Sequence, residues 1–560
     1  MERPDGPDTR FAPGSNVKGA VGGANWCYAL PSLDLGRVVC LGRPSVAALT
    51  TLARLGDEVV VCATAAALRK LERAVGRAGL PNVTLVATTR IGAPGLPEGC
   101  AELVFVPRLP GLPRAGADWL GEVGRLLADD GVAYVEGRGF ARIDRGAPLW
   151  LAPAAGEVRA VVPLADRQAI AYVERAFLRR PVLRRQLLKR PRSVLARHST
   201  VNRLVRRRGA LVGGPAAGGS AGVPQYVRAI AARAGVDTER KRWALAAPGD
   251  YPSQKVLVFL FGGGEAPETI VKITRDPELN DRLENEWRSL TTLREHGVGT
   301  EDTLPRPLFL GSHRGLAVLG ESALDGVPFR ERTRATPDCP QARAAVDWLL
   351  DLATATVSRA TNDASGALSE LWPRWERFRG TYRLAPEEQR HLESCVAALA
   401  EGAPGFPLVF QHGDPGPWNI LVTPAGRPAF LDWEAGEAQG MPLWDLFHFL
   451  RSYGLLVSRK AGTRDPLKSF EQQFLEQSGV HRLLVDATGR LRSRIGLAAE
   501  LVGPLFYTCW MHRALKEAAT LPPDRLDRGR YIGILRLAIA RRDAPGLLEL
   551  SSGDPIGARP

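Results

Sequence analysis

Between Asn25 and Leu164, short apolar runs of strand character alternate with longer runs of helical character. The strand candidates are Arg37–Leu41, Glu58–Cys62, Asn82–Ala87, Leu103–Val106 and Gly131–Val135. The helix candidates between them are Ser45–Leu55, Ala65–Ala78 and Asp118–Leu127. No other feature constrains the fold as much. Strands joined by crossover helices must lie parallel, and a parallel sheet needs helices on both faces. Residues 24–164 are therefore expected to form an α/β doubly wound domain behind a flexible tail at residues 1–23.

The alternation then stops. Residues 165–208 read as a helical connector broken by Pro181 and Pro191, and residues 209–223 (GALVGGPAAGGSAGV) as a flexible linker. A second, α+β domain is expected from Pro224. Trp243–Ala246, Lys255–Phe261, Thr269–Thr274, Leu308–Leu310 and Leu316–Leu319 are strand candidates, and Pro277–His296 is a helix candidate. This sheet-rich small lobe spans residues 224–335. From Pro340 helical patterns dominate a larger lobe, residues 336–550, interrupted by Leu408–Phe410, Asn419–Val422 and Ala429–Leu431. Residues 551–560 read as a tail. No internal repeat is visible.

Charge narrows the function classes. The 560 residues include 74 Lys or Arg and 60 Asp or Glu, a net +14. Twelve of those cations fall between Arg179 and Arg208 with no acid among them, and without them 62 basic residues face 60 acidic ones. The chain is near-neutral with one basic segment, which argues against nucleic-acid binding. The segment reads first as a connector with solvated cations. Leu183, Leu187, Leu188, Val194 and Leu195 leave peripheral contact with an anionic membrane open as a second reading. The N-terminal residues lack an apolar signal region, and no apolar run reaches the ~18–20 residues of a membrane span. Seven scattered cysteines without Cys-x-x-Cys suit a reducing cytoplasm. The Ala, Gly, Arg and Pro bias is typical of a bacterial genome.

The chemistry concentrates in Gln411-His412-Gly413-Asp414-Pro415-Gly416-Pro417-Trp418-Asn419, followed by Leu431-Asp432-Trp433-Glu434. Phosphoryl transfer needs an oxygen base for the acceptor hydroxyl, hard oxygen ligands for Mg²⁺ and a cation on the nucleotide phosphates. A kinase catalytic loop, Asp-x-x-x-x-Asn, supplies base and metal ligand, and a later Asp completes the metal site. Asp414 and Asn419 have that spacing, and Asp432 follows on the next apolar run. These residues resemble the aminoglycoside phosphotransferase and choline kinase-like family over roughly Pro224–Leu547. The resemblance implies a two-lobed protein-kinase-like fold and ATP- or GTP- and Mg²⁺-dependent phosphorylation of a small-molecule hydroxyl. By that match Asp414 is the catalytic base, Asn419 and Asp432 are metal ligands, His412 braces the loop, and Trp444-Asp445 is structural.

A kinase also needs a strand Lys paired with a helix Glu. Lys272 lies in an apolar strand. Glu286 shares a helix face with Leu290 and Leu293, making Lys272–Glu286 the expected pair, with Glu284 as the alternative. Gly262-Gly263-Gly264 reads as a hairpin turn rather than a phosphate loop. The phosphate loop is expected near Gly249–Gln254, with Ser253 as a contact. The adenine hinge is expected at Leu319–Ala323, with Glu321, Ser322 and Ala323 contributing backbone groups. The acceptor pocket is expected among the C-terminal helices, where Trp510, His512 and Arg513 are candidate lining residues, although helix packing is the simpler role for them. Residues 441–560 hold 18 basic and 12 acidic residues, a balance that disfavours a polycationic acceptor.

The order of elements across Arg37–Glu136 resembles class I S-adenosylmethionine-dependent methyltransferases, a Rossmann-type fold. The cofactor motif looks eroded. Only Gly42 remains of the glycine-rich turn, Pro44 removes a donor, and Cys62 and Thr88 or Thr89 stand where acids are expected. S-adenosylmethionine is therefore not expected as a cofactor. The reading is a phosphotransferase with a non-catalytic N-terminal domain. A regulatory scaffold of degenerate folds and a bifunctional methyltransferase–kinase are the rivals.

Overall fold

The computed structural model describes residues 24–88, 93, 95–107, 118–137, 146–153, 157–178, 207–213, 222–248, 254–334, 336, 339–361, 366–402 and 404–552. The chain divides into two compact units, Met1–Leu283 with Leu308–Ala323, and Glu284–Pro307 with Leu324–Pro560. The expected tail at 1–23 lies outside the described residues, as do residues 179–206 of the basic segment and 553–560 of the tail expected at 551–560, whose first two residues instead close a helix, Pro545–Ser552. Among the described residues no helix is long and apolar enough to cross a membrane.

The first unit is built on a single sheet of thirteen strands. Its first five strands are β1 (Arg37–Leu41), β2 (Glu58–Ala63), β3 (Val83–Ala87), β4 (Ala101–Val106) and β5 (Leu127–Gly137). They pair in parallel in the order β3-β2-β1-β4-β5. β1 and β2 are buried along nearly their whole length, which is why they read as continuous apolar runs rather than alternating ones. Helices α1 (Val46–Leu55), α2 (Ala65–Ala78) and α3 (Asp118–Leu126) lie between these strands in the chain, as the alternation predicts. Ser45 caps α1 by accepting the Ala48 N–H at 3.1 Å. Gly79 ends α2 in the left-handed conformation that only glycine adopts cheaply.

Beyond β5 the sheet departs from expectation. Strands β6 (Gly146–Ala152), β7 (Ala160–Pro163) and β8 (Arg207–Gly213) extend it, with β8 antiparallel between β5 and β6. Gly209–Gly213, expected as the start of a flexible linker, is thus an interior strand, and Arg207 and Arg208 of the basic connector open it. The physical reason is visible at Gly209, where a Cβ would stand 3.1 Å from Leu151 Cδ1 and 3.2 Å from the Val135 carbonyl. Glycine there permits close backbone approach, and Ala210 and Leu211 are buried. Composition alone reads the same residues as flexibility.

The small-lobe strands are β9 (Arg242–Ala246), β10 (Val256–Phe261), β11 (Pro267–Ile273), β12 (Pro307–His313) and β13 (Leu316–Ser322). They follow in the order β9-β10-β11-β13-β12, and the first three pairings are antiparallel. β9 pairs antiparallel with β7 through Ala160↔Ala246 and Val161↔Leu245, so these strands continue the N-terminal sheet. Gly262–Gly264 is a hairpin turn between β10 and β11, as expected, and Arg242 donates to the Gly262 carbonyl at 3.2 Å.

In the second unit, helices α4 (Pro340–Ala355), α5 (Pro386–Glu401), α6 (Trp444–Lys460), α7 (Gly479–Ile495), α8 (Val502–Ala518) and α9 (Arg530–Ala540) enclose an apolar core. Leu349, Phe410, Trp433, Phe447, Leu450, Phe506 and Trp510 belong to it. Two three-stranded sheets carry the sequence motifs. One pairs Val327–Pro328, Ile420–Val422 and Pro428–Phe430; the other pairs Ser358–Arg359, Pro407–Gln411 and Glu437–Gly440.

Candidate active site

The expected site residues fall on both units. In the first, Lys272 lies on β11 and forms an ion pair with Glu321 at 2.8 Å, the two side chains 8% and 2% exposed. Register explains the pairing. Glu321 stands opposite Ile270, two residues along from Lys272, so the two side chains are diagonal neighbours on one face. Glu321, expected to contribute only backbone, therefore also holds the strand lysine. Ser322 stands opposite Thr269 at the end of β13, and the Ala323 N–H donates to the Glu268 carbonyl at 3.0 Å. The chain passes to the second unit just after Ala323, where the hinge is expected. Ser253 lies outside the described residues.

In the second unit Glu286 is fully buried, with Leu290 and Leu293, as the helical spacing predicts. Its Oε1 accepts the Trp433 N–H at 2.9 Å, and Asn285 donates to the Glu434 and Gly436 carbonyls at 3.0 and 2.9 Å. This helix therefore fixes the loop that follows Asp432. Of the expected Lys272–Glu286 pair, Lys272 belongs to the first unit and Glu286 to the second.

The catalytic-loop motif folds around buried polar anchors. His412 is fully buried; its Nε2 donates to the Leu431 carbonyl at 2.9 Å and its Nδ1 accepts the Asp414 N–H at 3.3 Å. One imidazole thus ties Asp414 to Leu431, the residue between the Pro428–Phe430 strand and Asp432. Asp445 accepts the His412 and Gly413 N–H groups at 2.5 and 3.1 Å, which is its structural role. Burial pushes the Asp445 carboxyl upward, against His412 and these two hydrogen bonds. Gly413 has φ 78°, and a Cβ there would stand 2.1 Å from the Ala435 carbonyl, so the glycine of His-Gly-Asp is forced by sterics.

Asp414 is the hub. Its Oδ1 accepts from His448 Nε2 at 3.0 Å and Arg513 Nη2 at 3.2 Å, and its Oδ2 from Trp418 Nε1 at 3.1 Å and Asn419 Nδ2 at 3.3 Å. The side chain remains 34% exposed, so an acceptor hydroxyl can reach it. Burial opposes ionisation, but the His448 hydrogen bond, Arg513 and Trp418 outweigh it and hold the carboxyl well below its ordinary range. His448 itself is neutral. Burial and the Arg513 charge push it down to about 3 despite Asp414, and its Nδ1 has no hydrogen-bond partner. It is thus the tautomer protonated on Nε2. Unfolded, its pKa returns to about 6.5, so the unfolded chain binds one more proton between those values. Stability then falls as pH drops through this window. His448→Gln should flatten the slope of unfolding free energy near pH 5 by about 1.4 kcal/mol per pH unit. Urea titrations across pH 4–7 measure it.

The Asn419 amide also donates to the Asp414 carbonyl at 3.0 Å, which leaves Oδ1 as a hard acceptor. The Leu431 N–H donates to the Asn419 carbonyl at 2.8 Å, so Asn419 is bonded to the residue that precedes Asp432. Asp432 has φ 66°, a conformation costly for a non-glycine residue and typical of functional positions. Among the described residues no three His, Cys, Asp or Glu side chains converge as a metal cluster. One Asn oxygen and one carboxylate fit Mg²⁺, which takes one or two protein carboxylates and completes its shell with water and nucleotide phosphates.

Of the expected acceptor-pocket residues, Trp510 is fully buried among Phe470, Phe506 and Tyr531, and His512 stacks on Trp444 with centroids 4.8 Å apart. Only Arg513 reaches the site. Sequence reasoning missed His448, Arg451 and Trp418, the last 58% exposed beside Asp414. The available signal was a His and an Arg three residues apart in the otherwise apolar stretch Leu446–Arg451.

Residues 253–528 match the model of the phosphotransferase enzyme family. Among solved structures, the chain is similar to an aminoglycoside-3'-phosphotransferase of type VIII (20% identity, 46% of this chain and 94% of that one, TM-score 0.27). It is also similar to a choline kinase from Streptococcus pneumoniae (14% identity, 53% and 92%, TM-score 0.30). A SAM-dependent methyltransferase from Aquifex aeolicus matches as well (13% identity, 22% and 70%, TM-score 0.19). No curated protein matches the sequence at a significant level.

Proposed function

With residues 253–528 matching the phosphotransferase enzyme family, we propose that the chain transfers the γ-phosphoryl group of ATP to a hydroxyl of a small molecule. The observation that carries this is the Asp414 hub: an ionised, partly exposed carboxylate that accepts from Asn419, whose own carbonyl accepts the N–H of Leu431, the residue before Asp432. Asp414 orients the acceptor hydroxyl. As the new O–P bond forms and the bond to the ADP leaving oxygen breaks, Asp414 takes the hydroxyl proton. In a loose transition state catalysis is mainly positioning and electrostatics, and the ionised Asp414 carboxylate is held in place for that by its four donors. Asn419 Oδ1 and the Asp432 carboxylate would hold Mg²⁺, which when bound neutralises charge on the nucleotide phosphates. Lys272, set by Glu321, would contact those phosphates, Glu286 would hold the loop after Asp432 through the Trp433 N–H, and Glu321–Ala323 would offer backbone groups to the adenine. ADP release with hydroxyl acceptors, read alongside the mass of the product, tests the proposal.

The N-terminal part is proposed to be non-catalytic. The Gly42 N–H, a donor the cofactor would need, is already given to the Cys62 carbonyl at 2.8 Å. Cys62 is 2% exposed, and burial pushes its thiol up to about 11. Isothermal titration of the full chain with S-adenosylmethionine should show no binding, and micromolar affinity would refute this reading. Peripheral attachment of residues 179–208 to anionic membranes stays a proposal, checked by sedimentation with anionic liposomes.

A further inference from the structure

Helix α6 presents His448 and Arg451 one turn apart, on the same face. His448 donates to Asp414, whereas Arg451 has no such partner. It is 4% exposed, and its Nη2 is buried without a hydrogen bond. Its guanidinium lies 5.2 Å from the Tyr531 ring centroid. Arg513, from α8, lies 5.3 Å from the same centroid. Arg513 donates to Asp414 Oδ1 and to the Gly413 carbonyl, but its Nε is also buried without a partner. Two guanidiniums thus share one ring beside the reacting carboxylate. The other acid nearby, Glu517, accepts the Tyr531 N–H at 2.9 Å. Burial pushes Arg451 down to about 10, and Arg530 and Arg513 push the same way against Tyr531 and Glu517.

A buried cation without a counter-charge is costly and is kept where a ligand completes it. Guanidiniums match planar or tetrahedral oxyanions with paired donors. Arg513 stands on the Oδ1 side of Asp414 and shares the Tyr531 ring with Arg451, whereas the expected metal ligand Asn419 donates to Oδ2. We infer that the acceptor alcohol carries an oxyanion group, a phosphate or a carboxylate, held by Arg451 and Arg513 while its hydroxyl meets Asp414. This inference rests on the phosphotransferase reading. A cationic acceptor would instead be repelled by the same pair.

The test uses the full chain with its nucleotide site filled by Mg²⁺ and a non-hydrolysable ATP analogue. Inorganic phosphate or acetate is then added against chloride at equal ionic strength, and melting temperature and tryptophan fluorescence are read. Phosphate should raise the melting temperature of the wild type. Arg451→Met should melt higher without ligand, because an unpaired buried charge is gone, yet bind phosphate at least about tenfold more weakly. Arg451→Lys, which keeps the charge and loses the fork, should fall between and serves if the Met variant does not fold. A response to phosphate alone assigns a phosphorylated acceptor, and a response to acetate assigns a carboxylate. No response beyond chloride in the wild type, or an unchanged phosphate response in both variants, overturns the inference. If the analogue itself gives no Mg²⁺-dependent shift, the phosphotransferase reading fails, whereas analogue binding without a phosphate response removes the anion site alone.

Discussion

Asp414→Asn should lower kcat by about 10²–10⁴-fold, the range a positioned proton acceptor contributes, and leave Mg²⁺–ATP affinity unchanged. The substitution keeps size and hydrogen-bonding capacity but removes the charge that Arg513, His448, Trp418 and Asn419 converge on. It also places an amide NH₂ where one of these donors now points. The split between kcat and nucleotide binding is the informative part. If Asp414 were only a structural hub, Asn would lower the melting temperature and weaken nucleotide binding along with turnover. Steady-state kinetics at saturating acceptor, paired with nucleotide titration, separate the two. Near-wild-type turnover would remove Asp414 from the chemistry.

Asp432→Ala should have the complementary effect. Loss of a ligand's indirect partner already costs about 10–100-fold in metal affinity, so loss of the carboxylate should raise the Kd of Mg²⁺–ATP by at least about 100-fold. Alanine is also a poor occupant of φ 66°, so part of any change could come from the backbone. Asp432→Asn controls for this, because asparagine tolerates the left-handed region and keeps one oxygen. It should retain the loop held by Glu286 and Asn285 yet lose most of the metal dependence. Nucleotide titration with and without Mg²⁺ reads both variants. Equal affinity in Asp432→Asn and wild type would contradict the metal role.

Strand–helix alternation made the N-terminal sheet legible, because a sheet buried on both faces leaves continuous apolar runs such as Glu58–Ala63. The candidate catalytic loop was legible because phosphoryl transfer demands particular residue types at fixed spacing. Gly413 is one such case: its neighbour's carbonyl leaves no room for a Cβ. What escaped was set by tertiary partners. Gly209 reads as linker by composition, and only the closeness of Val135 and Leu151 shows why a strand needs it. The β7–β9 pairing that carries the small-lobe strands onto the N-terminal sheet has no sequence signal, since register between distant strands is decided by packing. His448, Arg451 and Arg513 converge on Asp414 and Tyr531 from two helices, and helical periodicity cannot say which faces meet.

The most direct test of the central claim follows the γ-phosphoryl group itself. The full chain is incubated with γ-labelled ATP, Mg²⁺ and a panel of hydroxyl compounds that includes phosphorylated and carboxylated members. Labelled products are then identified by mass spectrometry for the wild type and Asp414→Asn. The account predicts label on an acceptor oxygen, one ADP per labelled product, and loss of both in Asp414→Asn. A wild type that binds no Mg²⁺–ATP and transfers no label, or an Asp414→Asn variant that transfers label as fast as the wild type, would contradict it.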